Sequence, residues 1–155
     1  MKLLVFLHGT IIMHSSGVDK THKERVEQSR KRDSSVLDYE NYVPIGNAVE
    51  KLKQWQSQGH EISYLSSHES AEDAANDQSI LDKYDFPKAP IHWRDNKQTY
   101  AQVAEKIMPD VLIEDDCESI GGEIETTYYH INPATKPKIR QILVKEFGGI
   151  DDVEL

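Results

Sequence analysis

The chain has 155 residues, enough for one domain with one substantial core, and carries 18 Lys plus Arg against 27 Asp plus Glu for a net charge of −9. Binding to a nucleic-acid backbone draws its affinity from Lys and Arg that displace counterions, so this balance excludes nucleic acid as a partner. The single cysteine, Cys117, cannot close an internal disulfide, and Met1 to Leu7 is far shorter than the ~20 apolar residues of a membrane span. We therefore expect a protein of the reducing cytoplasm with no membrane partner.

The opening run Lys2-Leu3-Leu4-Val5-Phe6-Leu7-His8-Gly9-Thr10 reads as a strand buried on both faces that ends in a tight turn. Residues 14–38 are polar and charged, with a helix expected over Thr21 to Arg32 whose basic residues are interspersed with Glu24 and Glu27, as on a solvated face. They form an excursion over the strand end, and His14 and His22 within it read as surface residues. A helix follows from Asn47 to Gln58, with Val49, Leu52 and Trp55 on one side and Gly59 as its stop. Ile62 to Leu65 is a second strand, Ala71 to Tyr84 a helix, and Ile91 to Trp93 a third strand fenced by Pro87 and Pro90.

Thr99 to Met108 places Tyr100, Val103, Ala104 and Ile107 on one helical face and stops at Pro109, and Asp110 to Ile113 is a fourth strand running into Glu114-Asp115-Asp116. The β-branched and aromatic content of Thr126 to Ile131 predicts a fifth strand, Lys138 to Phe147 a closing helix, and Asp151 to Leu155 a frayed acidic tail. Strands alternating with helices imply right-handed crossovers and a doubly wound α/β domain with a mostly parallel five-stranded sheet over residues 1–150. Ligands of such folds sit outside the carboxyl ends of the strands. Those ends carry His8-Gly9-Thr10, Ser66-Ser67-His68, His92, Glu114-Asp115-Asp116 and His130. His92 and His130 read equally well as hydrogen-bonded boundary residues.

This order of motifs resembles the haloacid dehalogenase superfamily of phosphatases and phosphotransferases along nearly the whole chain. Gly9-Thr10-Ile11 is similar to the end of the family's first motif, Asp-x-Asp-Gly-Thr; Ser66 to the second; Lys97 to the third; Asp115 with Asp116 to the acidic fourth. The resemblance implies that residues 14–38 are a flap with a small cap, that Gly9, Thr10, Ser66, Ser67 and Lys97 bind phosphate, and that Asp115 and Asp116 hold magnesium. The departure is sharp. Phe6 stands where the family has its nucleophilic Asp and His8 where it has the acid/base Asp, so the aspartyl-phosphate mechanism is closed.

Three readings follow. In the first, a rebuilt metal-dependent phosphomonoester hydrolase uses His8 and Asp115 as catalytic groups, and His8, Asp115 and Asp116 bind a divalent ion. An imidazole ligand would favour Mn, Zn or Fe over Mg. In the second, a module without turnover keeps the cradle and binds a small phosphorylated molecule or nucleotide. In the third, the fold serves protein contacts, self-association included. The strand-end His8-Gly9 also resembles α/β-hydrolases, but their Gly-x-Ser-x-Gly elbow is missing. The charge of the adjacent acidic pair, Asp115 and Asp116, disfavours a thiolate at Cys117, which is not a nucleophile in any of these readings.

Overall fold

Leu3, Leu4 and Val5 are completely buried, as an apolar strand without alternation requires: it must be covered on both faces and paired on both edges. In the computed structural model, which describes all 155 residues, that strand is β1 (Lys2–Phe6), the centre of a five-stranded parallel sheet. The chain continues through β2 (Ile12–Met13), α1 (His22–Arg30), α2 (Ser34–Leu37), β3 (Val43–Pro44), α3 (Ala48–Ser57), β4 (Glu61–Leu65), α4 (Ala71–Lys83), β5 (Ile91–His92), α5 (Tyr100–Ile107), β6 (Val111–Asp115) and β7 (Arg140–Val144). The sheet order is β5-β4-β1-β6-β7, and β2 pairs with β3 in a separate antiparallel ribbon. Leu3 lies between Ile62 of β4 and Val111 of β6. Strand order therefore reverses between β1 and β6, which opens a crevice at their carboxyl ends.

Alternation along β1 divides the core. Leu3 and Val5 join Leu52 and Trp55 of α3 and Ile80 and Leu81 of α4 on one face, while Leu4 joins Ala101 and Ala104 of α5 on the other. Helix ends are set locally. Thr99 and Gln102 form a reciprocal capping box at the start of α5, Ser70 accepts the Asp73 N–H at the start of α4, and Gly59 sits at φ +90° just beyond α3. The expected doubly wound α/β architecture is the one observed. No helix is long and apolar enough to cross a membrane.

Four expectations for the ends and excursions of the chain are corrected. Thr126 to Ile131 is not a strand but a turn with one 3-10 segment, Tyr128–His130, because the Glu114 carboxylate takes the backbone N–H groups of Thr127 (2.7 Å) and Tyr128 (2.9 Å) that a strand neighbour would otherwise use. His130 therefore ends no strand; it is exposed and donates through Nε2 to the Ile124 carbonyl. The expected helix at Lys138 to Phe147 is instead β7, whose Ile142-Leu143-Val144 pairs with the free edge of β6 and satisfies a row of backbone groups no helix could reach. Residues 151–155 are not a frayed tail: Ile150 and Val153, one turn apart, enter the core, and Asp151 accepts from the Asn47 backbone N–H and Nδ2. His14 is not a surface residue. Helix α1 folds back over it, so that it is enclosed between Gln28 (2.9 Å) and the edge of the Phe147 ring, while His22 is partly exposed beside Glu118.

Candidate active site

The turn after β1 is drawn tight by the Leu7 carbonyl, which accepts from the N–H groups of Thr10, Ile11 and Ile12. It turns the His8 ring toward β4 and α4. His8 Nε2 lies 3.0 Å from Asp77 Oδ1, and His8 Nδ1 lies 2.7 Å from the Ser67 hydroxyl. Asp77 Oδ2 also accepts from the Ser66 hydroxyl and from His68 Nδ1. Burial alone would raise the Asp77 carboxyl, but the hydrogen bonds from His68 and His8 outweigh it and hold the group well below the usual carboxylate range. Burial likewise lowers His68, and its bond to Asp77 more than compensates, leaving it raised. The rings of Tyr39 and Tyr42 stand edge-on to His8 at 5.7 and 5.6 Å.

A second cluster occupies the ends of β6 and β7. Asp115 accepts from the Thr10 hydroxyl (2.8 Å) and the Cys117 N–H (3.0 Å). Burial first, and then the charge of Glu146, push its carboxyl up to about 7. Burial also raises Glu146, which accepts from both the N–H and the hydroxyl of Ser119. Gly9 is required between these groups: its φ is +85°, and a Cβ there would lie 2.9 Å from Asp115 Oδ2. Glu114 turns its carboxylate from Asp115 to the backbone N–H groups of Thr127 and Tyr128. Burial, reinforced by the carboxylates around it, pushes the Cys117 thiol up.

Both clusters open onto one cavity of about 230 Å³ at the β1–β6 crevice. Its wall includes Phe6, His8, Gly9, Ser67, Tyr39, Tyr100, Asp115 and Glu146, with Ser29 and Val36 contributed by the 14–38 excursion. No Lys or Arg lines it, whereas Glu114, Asp115, Glu125 and Glu146 do. A larger open groove of about 950 Å³ lies elsewhere, along Lys2, Glu61, Ile91 and Lys106; it contains His92 but none of the residues just described.

The residues singled out in the sequence are thus only partly gathered. His8, Gly9, Ser67 and Asp115 meet at the cavity. Thr10 is buried against Asp115, and Ser66 turns from the cavity to Asp77. Asp116 does not join Asp115: it pairs with Lys145 at 3.1 Å and accepts the Glu146 N–H. Lys97 is exposed in a left-handed turn and does not line the cavity. Arg94 is nearer, donating to the Ser67 carbonyl at 3.0 Å with its guanidinium 4.1 Å above the Tyr100 ring. Phe6, at the nucleophile position of the resembled motif, also packs on Tyr100, with ring centroids 5.2 Å apart.

Two carboxylates that sequence reasoning missed complete the picture. Asp77 had a readable signal, since it shares a helical face with Ala74, Ile80 and Leu81, where a charge needs a partner. Glu146 had none, lying inside a segment read as helix. As for a metal, His8, His68 and Asp77 bring one ligand atom each to within 4.8 Å of one another, but their polar atoms already satisfy each other and the two serines. The all-oxygen donors of Asp115 and Glu146, which still have acceptor capacity beside their hydrogen bonds, suit a hard divalent ion such as Mg or Mn, since the charge of Glu146 raises Asp115 and no Lys or Arg of the cavity wall offsets it.

No family model and no curated protein matches the chain. Solved structures do. A class C acid phosphatase from Bacillus anthracis, solved with tungstate bound, superposes with a TM-score of 0.59 at 13% identity over 96% of this chain and 68% of its own. Chains of the Pnkp1/Rnl/Hen1 RNA repair complex superpose with TM-scores of 0.55 and 0.56 at 14% and 13% identity, covering 94% and 93% of this chain. The chain spans only 43% and 46% of the length of those repair-complex chains. Its fold is thus one used by a known phosphatase, in keeping with the resemblance to haloacid dehalogenases.

Proposed function

We propose that the domain is a phosphate-directed hydrolase of altered catalysis, acting on a small phosphorylated molecule or nucleotide through a divalent cation held by Asp115 and Glu146. The observation that carries this reading is Asp115, buried at the switch point of a phosphatase fold and raised by burial and by the charge of Glu146, in a cavity wall that holds no Lys or Arg. A cation there would neutralise a wall that has no Lys or Arg and let a phosphate dianion enter. When bound, it would supply Lewis-acid polarisation of a phosphoryl oxygen. Phe6 cannot form an aspartyl phosphate, so attack must come from another group.

The test is phosphate release from a pool of phosphomonoesters and nucleotides with Mg, Mn or Zn supplied in turn, comparing wild type with Asp115→Asn. Release that needs a metal and falls at least ~100-fold in the variant is expected. Metal-dependent binding of the same ligands without release would instead favour a module that kept the cradle and lost the chemistry. Neither release nor binding would overturn both.

A further inference from the structure

Beyond the phosphate reading, and needing no cation, we propose that Ser67, His8 and Asp77 form a nucleophile, a general base and a positioning residue for acyl transfer from a neutral carboxylic ester. The proton inventory leads there. Asp77 is ionised and can only accept, so the nitrogen facing it, His8 Nε2, carries the proton. His8 Nδ1 accepts the backbone N–H of Ser67 at 3.3 Å, which marks it as the lone-pair nitrogen, and the Ser67 hydroxyl, 2.7 Å away, donates to it as well. A serine whose proton points at a base, with the base held by a buried carboxylate, is the arrangement that activates an alcohol for attack, and it is recognised by geometry and not by chain order.

The surroundings reinforce this reading. Asp77 is fixed by Ser66 and His68 as well as by His8, so it cannot swing away. Tyr39 and Tyr42 shield the His8 ring from solvent. The Tyr100 hydroxyl, a neutral donor whose burial pushes its pKa up to about 12, rests 3.3 Å from the Ser67 carbonyl, beside the nucleophile. Ser67 and His8 both face the cavity, whose carboxylates repel anions and whose aromatic wall suits an uncharged ester.

In the step itself the Ser67 Oγ–acyl carbon bond forms and the ester C–O bond breaks, while His8 Nδ1 takes the serine proton and passes it to the departing alkoxide. Water then attacks the acyl-serine while His8 Nδ1 takes its proton; the acyl C–O bond to Ser67 breaks, His8 returns that proton to the departing Ser67 oxygen, and the carboxylic acid leaves. No oxidant, reductant or metal enters the balance.

The experiment uses the whole chain with p-nitrophenyl acetate in excess EDTA. Wild type should give a burst of p-nitrophenol close to one per chain, with acetyl found by peptide mass analysis on Ser67. Ser67→Ala should lose the burst at least ~100-fold while its far-UV circular dichroism and unfolding midpoint stay near wild type, and Ser67→Cys should recover a burst as a hydroxylamine-sensitive thioester. Asp77→Asn should lower the acylation rate ~10²-fold or more and change its pH profile, because an amide can face Nε2 as a donor and force the wrong tautomer. No burst in wild type, acetyl on another residue, or a burst surviving Ser67→Ala would each overturn the proposal. Because neither phosphate nor metal is present, such a failure leaves the phosphate reading standing, and the reverse holds for the metal-dependent assay.

Discussion

Asp77 and Asp115 lie on either side of one crevice, 1% and 6% exposed, and burial pushes both toward the neutral acid. They end in opposite states. Asp77 faces two imidazoles and a hydroxyl and is held well below the carboxylate range, whereas Asp115 faces one hydroxyl, one N–H and the like charge of Glu146, and rises to about 7. Depth in the protein therefore does not decide which carboxylate is charged; the count and sign of the groups aimed at it do. One end of the cavity is electrostatically closed by its own residues and the other is left wanting a cation.

The contrast can be broken in four ways. The largest effect belongs to Asp77→Ala, which strips two imidazoles and a serine of their acceptor and should cost about 3–5 kcal/mol in urea unfolding; a loss under about 1 kcal/mol would mean that the network does not hold the fold. Next, Mg or Mn at 100 times its dissociation constant should stabilise wild type by about 2.7 kcal/mol, seen as a rise in melting temperature that Asp115→Asn abolishes. An equal rise in the variant would place the ion elsewhere. In the absence of metal, Asp115→Asn should itself gain on the order of 1 kcal/mol, because it removes one of two repelling charges and keeps an acceptor for Cys117. A clear loss would contradict the repulsion.

The smallest effect is in pH. Asp77 is lowered from 3.8, so its contribution is present above that pH and disappears as pH falls through the depressed value; His68 is raised from 6.5, so its contribution is full below that pH and fades as pH climbs through the raised one. Urea midpoints of wild type and Asp77→Asn should therefore differ most between 3.8 and 6.5, converge as pH falls through the depressed Asp77 value, and narrow without vanishing as pH climbs through the raised His68 value. A difference that keeps growing above neutral pH would contradict the bond between His68 and Asp77.

Much of this architecture was legible because it is written in periodicity and punctuation. The apolar run of β1, the helical spacing of Val49, Leu52 and Trp55 before Gly59, and the stop of α5 before Pro109 each name an element without reference to the rest. The last third was not legible, since its structure depends on distant partners. Thr126 to Ile131 has strand composition but surrenders its N–H groups to Glu114, and Arg140–Val144 becomes a strand because β6 offers it an edge. The same division runs through the site. His8, Ser67 and Asp115 announce themselves at strand ends, but the wiring of His8 to Asp77, 69 residues along the chain, and the approach of Glu146 to Asp115 exist only after folding.

The position of β1 at the middle of the sheet also bears on time. During synthesis this strand emerges before both of its neighbours, and Leu3 must wait for Ile62 on one side and for Val111 on the other. Pairing across such separations is slow, and an unpaired apolar strand is a hazard for self-association while it waits. The residues around His8, Ser67 and Asp77 can assemble once α4 is made, well before Asp115 and Glu146 exist. A pause in the latter half of synthesis would leave the hydrogen-bonded half of the cavity built and the acidic half missing, on a sheet still open along the edge of β1 that β6 is meant to fill.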